Sequence, residues 1–95
     1  AKFPKGELAW HNFLTDHLIY SRESQRKGIQ GNVVVEFIVE ADGSITHIKA
    51  LSGPVELRAD AENSVRKSPK WLPAKNNGKN VRSYKKQPIV YRMSQ

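Results

Sequence analysis

The chain has no cysteine, which excludes disulfides, thiolate metal sites and cysteine nucleophiles but does not fix a compartment. It also lacks any long apolar run. The longest, Val33-Val34-Val35 and Phe37-Ile38-Val39, fall far short of the roughly 20 residues that span a bilayer. No signal-peptide pattern opens the sequence, and there is no internal repeat or low-complexity segment. The most informative absence is of negative charge. All 9 acidic residues lie between Glu7 and Glu62, whereas nine lysines and arginines from Arg66 to Arg92 have no acidic residue among them.

What is present suits one small soluble domain. With 38% hydrophobic and 26% charged residues, the 95-residue chain has the make-up of a globular fold rather than a disordered one. A chain of this size buries roughly 60–65% of its unfolded surface, enough for one core and too little for a deep substrate cleft. The formal net charge of +7 favours acidic partners, whether protein, nucleic acid or anionic lipid.

Residues 6–19 read as an amphipathic helix. Trp10, Phe13, Leu14, His17 and Leu18 recur at three- and four-residue steps, with Gly6 as N-cap and Glu7 at the positive end. Ser21 and Gly28 bracket a further short helical turn as N-cap and left-handed terminator. The period then becomes two. Val33, Val35, Phe37 and Val39 share one face, and Asn32, Glu36 and Glu40 share the other, as in a strand with one buried side. Asp42-Gly43 signals a hairpin. In the returning strand, 44–52, Ile45 and Ile48 are three apart, so a bulge near Thr46-His47 is expected to turn both inward.

Ser52-Gly53-Pro54 opens a second main helix with a narrow stripe of Leu57, Ala61 and Val65, which Pro69 ends. A polar loop, 75–80, carries an Asn77-Gly78 turn. The last strand runs from Val81 to Met93, with Val81, Ile89 and Tyr91 toward the core. Proline within this basic strand marks it as a sheet edge. The expected fold is therefore an α+β two-layer sandwich, ordered α-β-β-α-β. It has a three-stranded antiparallel sheet, the 32–40 strand in the middle, and two main helices on one face. Residues 1–5 read as a linker remnant, 6–93 as the domain and 94–95 as a tail.

The order and spacing of these motifs resemble the C-terminal domain of the TonB family of energy transducers. The likeness runs from Tyr20-Ser21, with serine where the family usually has proline, through the short basic helix to Gly28-Ile29-Gln30-Gly31-Asn32-Val33-Val34-Val35-Glu36-Phe37. It continues through Asp42-Gly43, the Leu57/Ala61/Val65 helix, Trp71-Leu72-Pro73, Asn77-Gly78-Lys79 and Pro88-Ile89-Val90-Tyr91. The resemblance implies a periplasmic domain, tethered by a linker and one transmembrane helix to inner-membrane motor proteins. Its partner would be a short N-terminal peptide, the TonB box, of outer-membrane receptors for nutrients such as siderophores. That peptide is expected to add as a strand beside the last strand of the domain. Carried over by position, the peptide-binding residues are Val81, Arg82, Ser83, Tyr84, Lys85, Lys86, Ile89, Val90 and Tyr91. Receptor-proximal residues are His17, Leu18, Ile19 and Tyr20.

Other readings remain open on the sequence. A TonB-like module can be attached to a membrane metallopeptidase sensor, which upstream sequence would distinguish. An open edge can also pair two copies as a homodimer. The charge permits nucleic acid, and Gly28-Ile29-Gln30-Gly31 has the form of a Gly-x-x-Gly loop. That loop should join two helices, however, and here it runs into a strand, so a nucleic-acid partner is not expected. His11, His17 and His47 share no ligand spacing, and no nucleophile elbow or zinc motif occurs. No enzymatic activity, metal or cofactor is expected.

Overall fold

A computed structural model describes residues 2–92. The first helix, α1 (Glu7–His17), starts at Gly6, and the short α2 (Arg22–Arg26) starts at Ser21, whose hydroxyl accepts the Ser24 N–H at 3.2 Å. Strands β1 (Gly31–Val39) and β2 (Ile45–Ser52) follow, then α3 (Val55–Arg66), a short pair β3 (Ala74–Asn76) and β4 (Lys79–Val81), and β5 (Ser83–Tyr91).

The main sheet has the order β2-β1-β5, antiparallel throughout, so the expected α+β architecture with β1 in the centre is the one observed. Val33, Val35, Phe37 and Val39 of β1 are fully buried, and on β5 their opposite numbers include Ile89. Leu57, Ala61 and Val65 of α3 pack on this same face, and Trp10 of α1 joins the cluster. At roughly 25 cal/mol per Å² of apolar surface, burying such a valine or leucine contributes about 1.5–3 kcal/mol. The common face of β1, α1 and α3 is thus what holds the layers together.

The bulge expected in β2 is present. Between the pairs Glu36↔Lys49 and Ile38↔Thr46, β2 carries one extra residue, and His47 there has φ 53°. A second irregularity separates Val34↔Ser52 from Val35↔Ala50. Gly43, at φ +90°, forms the hairpin turn and accepts the Trp71 N–H at 2.8 Å. A Cβ at Gly43 would collide with the Trp71 carbonyl, so this turn requires glycine twice over, for its φ and for the close approach.

Three expectations need correction. Residues 2–5, read as linker, belong to the folded body. Lys2 and Leu72 exchange both backbone hydrogen bonds, at 3.0 and 2.7 Å, and Phe3 is buried edge-on between Trp10 and Trp71. The 75–80 segment, read as a loop, is a hairpin closed by Asn77 and Gly78 at φ 52° and 78°, both in the left-handed region that such two-residue turns demand. Val81 consequently pairs with Ala74 in β4 rather than extending the last strand, and it is only half-buried. Met93 and the tail 94–95 lie outside the described residues.

Candidate peptide-binding edge

The sheet has two edges, and they differ. On β2 the two bulges interrupt the ladder, and the Ala50 N–H, turned away from β1, is taken by the Glu62 carboxylate of α3 at 2.8 Å. Bulging and covering are common ways to blunt an edge. β5, by contrast, pairs with β1 without interruption from Gly31↔Tyr91 to Val39↔Ser83.

The direction of each β5 residue follows from Pro88. Along an antiparallel strand, residues alternate between exchanging both backbone hydrogen bonds with the neighbour and turning both groups away. Proline has no N–H to give, so a ladder accommodates it at an outward position. Pro88 pairs with Val34, and the alternation then turns Tyr84, Lys86 and Val90 outward as well. Ala50 agrees with this parity. Its N–H points away from Val35, whose own backbone must therefore face β5. Among the described residues, no backbone hydrogen bond from outside the sheet reaches Tyr84, Lys86 or Val90. The outer side of β5 is thus a row of three N–H donors and four carbonyls.

The sequence-selected residues divide accordingly. Tyr84 and Val90 are 75% and 46% exposed on the open face. Lys86, also exposed, stands opposite Glu36. Ser83, Lys85, Ile89 and Tyr91 have the other parity, so their backbone groups are committed to β1 and their side chains face the helix layer. Arg82, between β4 and β5, grips Glu40 with two nitrogens at 3.0 and 3.1 Å. The Thr46 hydroxyl, first, and then this guanidinium hold the Glu40 carboxyl below the usual range. Arg82 therefore ties the start of β5 to the β1–β2 hairpin. Gln87 and Pro88 were not selected from sequence, yet Pro88 is the residue that reveals the parity.

The structure brings the segment 17–20 to the Tyr91 end of β5. His17, exposed, rests its ring against Phe13. The Ile19 N–H donates to the Ser64 hydroxyl at 2.8 Å, and its carbonyl accepts the Tyr91 hydroxyl at 3.0 Å. The Tyr20 ring meets Tyr91 edge-on at 5.0 Å, and its hydroxyl donates to the Ile29 carbonyl. Ser21 supplies what a proline there could not. Its N–H donates to Asp60 at 3.0 Å while its hydroxyl caps α2. The small buried Ser64, with its own hydroxyl donating to the Asp60 carbonyl, is where this anchor meets α3.

This anchor has a pH signature. Burial pushes the Tyr91 phenol up to about 12, and the negative charge of Asp60 pushes the same way. In the unfolded chain the phenol ionises near 10, so between these values the native state holds more protons and stability falls as pH rises. The contribution is complete below about pH 10 and disappears through about pH 12, a loss of about 3 kcal/mol. Denaturant titrations across this range should show the loss in the parent and a flatter alkaline limb in Tyr91→Phe. Equal slopes in the two proteins would remove Tyr91 as the cause.

α1 lies alongside. Its Trp10 and Leu14, with Leu18 just past its end, border a cleft of about 420 Å³ whose other wall is Gln87, Pro88 and Val90. Among the described residues, no helix is long and apolar enough to cross a membrane, and no group of three His, Asp or Glu side chains could hold a metal ion.

A two-layer domain with a central strand, one blunted edge and one regular open edge belongs to the class of folds able to take a partner's strand into its sheet. The family model described as Gram-negative bacterial TonB protein C-terminal matches residues 16–93, and the chain belongs to this family. Solved structures agree. The Helicobacter pylori TonB C-terminal domain (residues 179–285) is 25% identical with a TM-score of 0.71, over 90% of this chain and 78% of that one. A shorter form of that domain (residues 194–285) gives 26% and 0.68, over 88% and 89%. The Pseudomonas aeruginosa TonB C-terminal domain gives 26% and 0.61, over 81% and 79%. Comparison with curated protein sequences finds no match.

Proposed function

We propose that this domain is the periplasmic receptor-binding end of a TonB-type energy transducer. It takes an N-terminal peptide of an outer-membrane receptor as a fourth strand beside β5, and through a segment outside this chain it is drawn by inner-membrane motor proteins. The observation that carries the reading is the uninterrupted β5 edge, whose outward backbone groups at Tyr84, Lys86 and Val90 lie open for an extended chain to pair.

The energetics set a requirement on the ligand. About five backbone hydrogen bonds at a net ~0.5–1.5 kcal/mol each fall short of the roughly 8 kcal/mol that micromolar binding needs, once ordering costs are counted. Side-chain contacts must supply the remainder. Pro88 sharpens this point by removing one donor from the middle of the row. Tyr84, Lys86 and Val90 each keep an outward N–H donor as well as a carbonyl, and Pro88 between them offers only an acceptor.

Peptides from the N-termini of TonB-dependent receptors, titrated into the domain and followed by NMR, test the reading. Amide shifts and slowed hydrogen exchange are expected at Tyr84, Lys86 and Val90, with Ile89 and Tyr91 amides already protected in the free domain. Shifts confined to β2 or to the β3–β4 hairpin would overturn it.

A further inference from the structure

Resting on the strand-addition reading, we infer that α1 is the second wall of the peptide site and seats the ligand's apolar side chains. The family match begins at residue 16, so nearly all of α1 precedes it. The helix nevertheless packs into the core, through Trp10 onto Phe3 and Trp71 at ring separations of 5.3 and 5.4 Å. Those contacts use one side of the helix. The adjoining side presents His11, Leu14 and Thr15, at steps of three and four, to the cleft beside Pro88 and Val90, and Leu18, just past the helix end, lines it too. The helix layer therefore extends past β5, over the place a fourth strand would occupy. A strand added there has alternate side chains under α1 and alternate side chains in solvent.

The chemistry of the walls fits as occupant an extended segment of a partner protein that is apolar at every second residue. Trp10, Leu14 and Leu18 provide the apolar seat. The cleft of about 420 Å³ is continuous, through Glu7, Trp10 and Gln87, with a second of about 390 Å³ where Lys2 and Lys85 supply positive charge. These lysines lie toward the end of β5 nearer Ser83, and the Glu7 carboxylate shares the wall with them. The size is at the low end for ligand pockets, right for a few side chains and small for a cofactor.

The test uses two capped synthetic peptides, Glu-Val-Thr-Val-Thr-Val and its counterpart Glu-Ser-Thr-Ser-Thr-Ser, titrated by NMR into the parent domain and into Leu14→Ala and Thr15→Glu. Thr15 is exposed, so the second variant keeps the fold if the first does not. The valine peptide should bind the parent at least tenfold more tightly than the serine peptide, and either variant should erase most of that advantage. Slowed exchange at Tyr84 and Lys86 reports strand addition independently of α1. If those amides respond and both variants keep the full preference for valine, α1 is no part of the site and this inference falls while strand addition stands. If no β5 amide responds to either peptide, strand addition itself fails and takes the inference with it. Protection of the same amides in the free domain, rising with protein concentration, would give the seat to a second copy of the chain and overturn it as well.

Discussion

A Val90→Pro domain is expected to fold with nearly unchanged stability and to lose receptor-peptide binding by tenfold to more than a hundredfold. The two halves of this expectation come from the same parity. Val90 is an outward residue opposite Asn32, so its N–H is not part of the β1 ladder and its removal breaks no internal hydrogen bond. Its side chain is 46% exposed, so little core is disturbed. The residue before it, Ile89, is already extended, as a following proline requires. For a bound strand the loss is much larger. A ligand carbonyl brought against the edge would meet a ring carbon in place of a donor, and an unsatisfied buried carbonyl costs about 1–3 kcal/mol. With Pro88 already lacking a donor, outward N–H groups would remain only at Tyr84 and Lys86. Calorimetric titration with a receptor-derived peptide, alongside thermal unfolding, checks both halves. Unchanged affinity in a folded variant would mean the peptide docks elsewhere.

Most of this edge is legible in the amino-acid sequence, because two local signals agree. Val33, Val35, Phe37 and Val39 recur at every second position, and Pro88 sits inside a strand-like run, which only an edge tolerates. The His47 bulge was legible for a similar reason, since Ile45 and Ile48 cannot both face inward from a regular strand. What escaped depends on contacts distant in sequence. Phe3 lies among charged and proline neighbours that resemble a linker, and only Trp10 and Trp71 make it a core residue. Ser64 looks like a gap in an apolar stripe until the Ile19 N–H arrives from 45 residues away. The β3–β4 hairpin has polar residues on both faces and therefore no alternation to detect. Arg82, apparently free to meet an acidic ligand, is held by Glu40, a pairing across 42 residues that no local pattern encodes.

The largest expected effect on stability is that of Phe37→Ala. Phe37 is fully buried at the centre of β1, opposite Lys85 of β5, with its ring edge-on to Trp71 at 5.0 Å. Through Trp71 it joins the aromatic group that fastens Phe3 and α1 to the sheet. Truncation removes the transfer free energy of the ring and leaves a cavity bounded by β1, Trp71 and α3, which a sheet position can collapse only in part. The cost is expected to be roughly 3–5 kcal/mol, a large share of the ~5–15 kcal/mol available to a domain of this kind. Urea unfolding of parent and variant, with equal m values, measures it. The result bears on function as well as on the fold. The β1 residues whose side chains enter the core are the ones whose backbones bond to β5, so the buried face of β1 and the outward set on β5 are fixed by a single parity. A cost below about 1 kcal/mol would place Phe37 on the open face. By the same alternation it would turn Tyr84, Lys86 and Val90 toward β1 and leave the peptide without its row of donors.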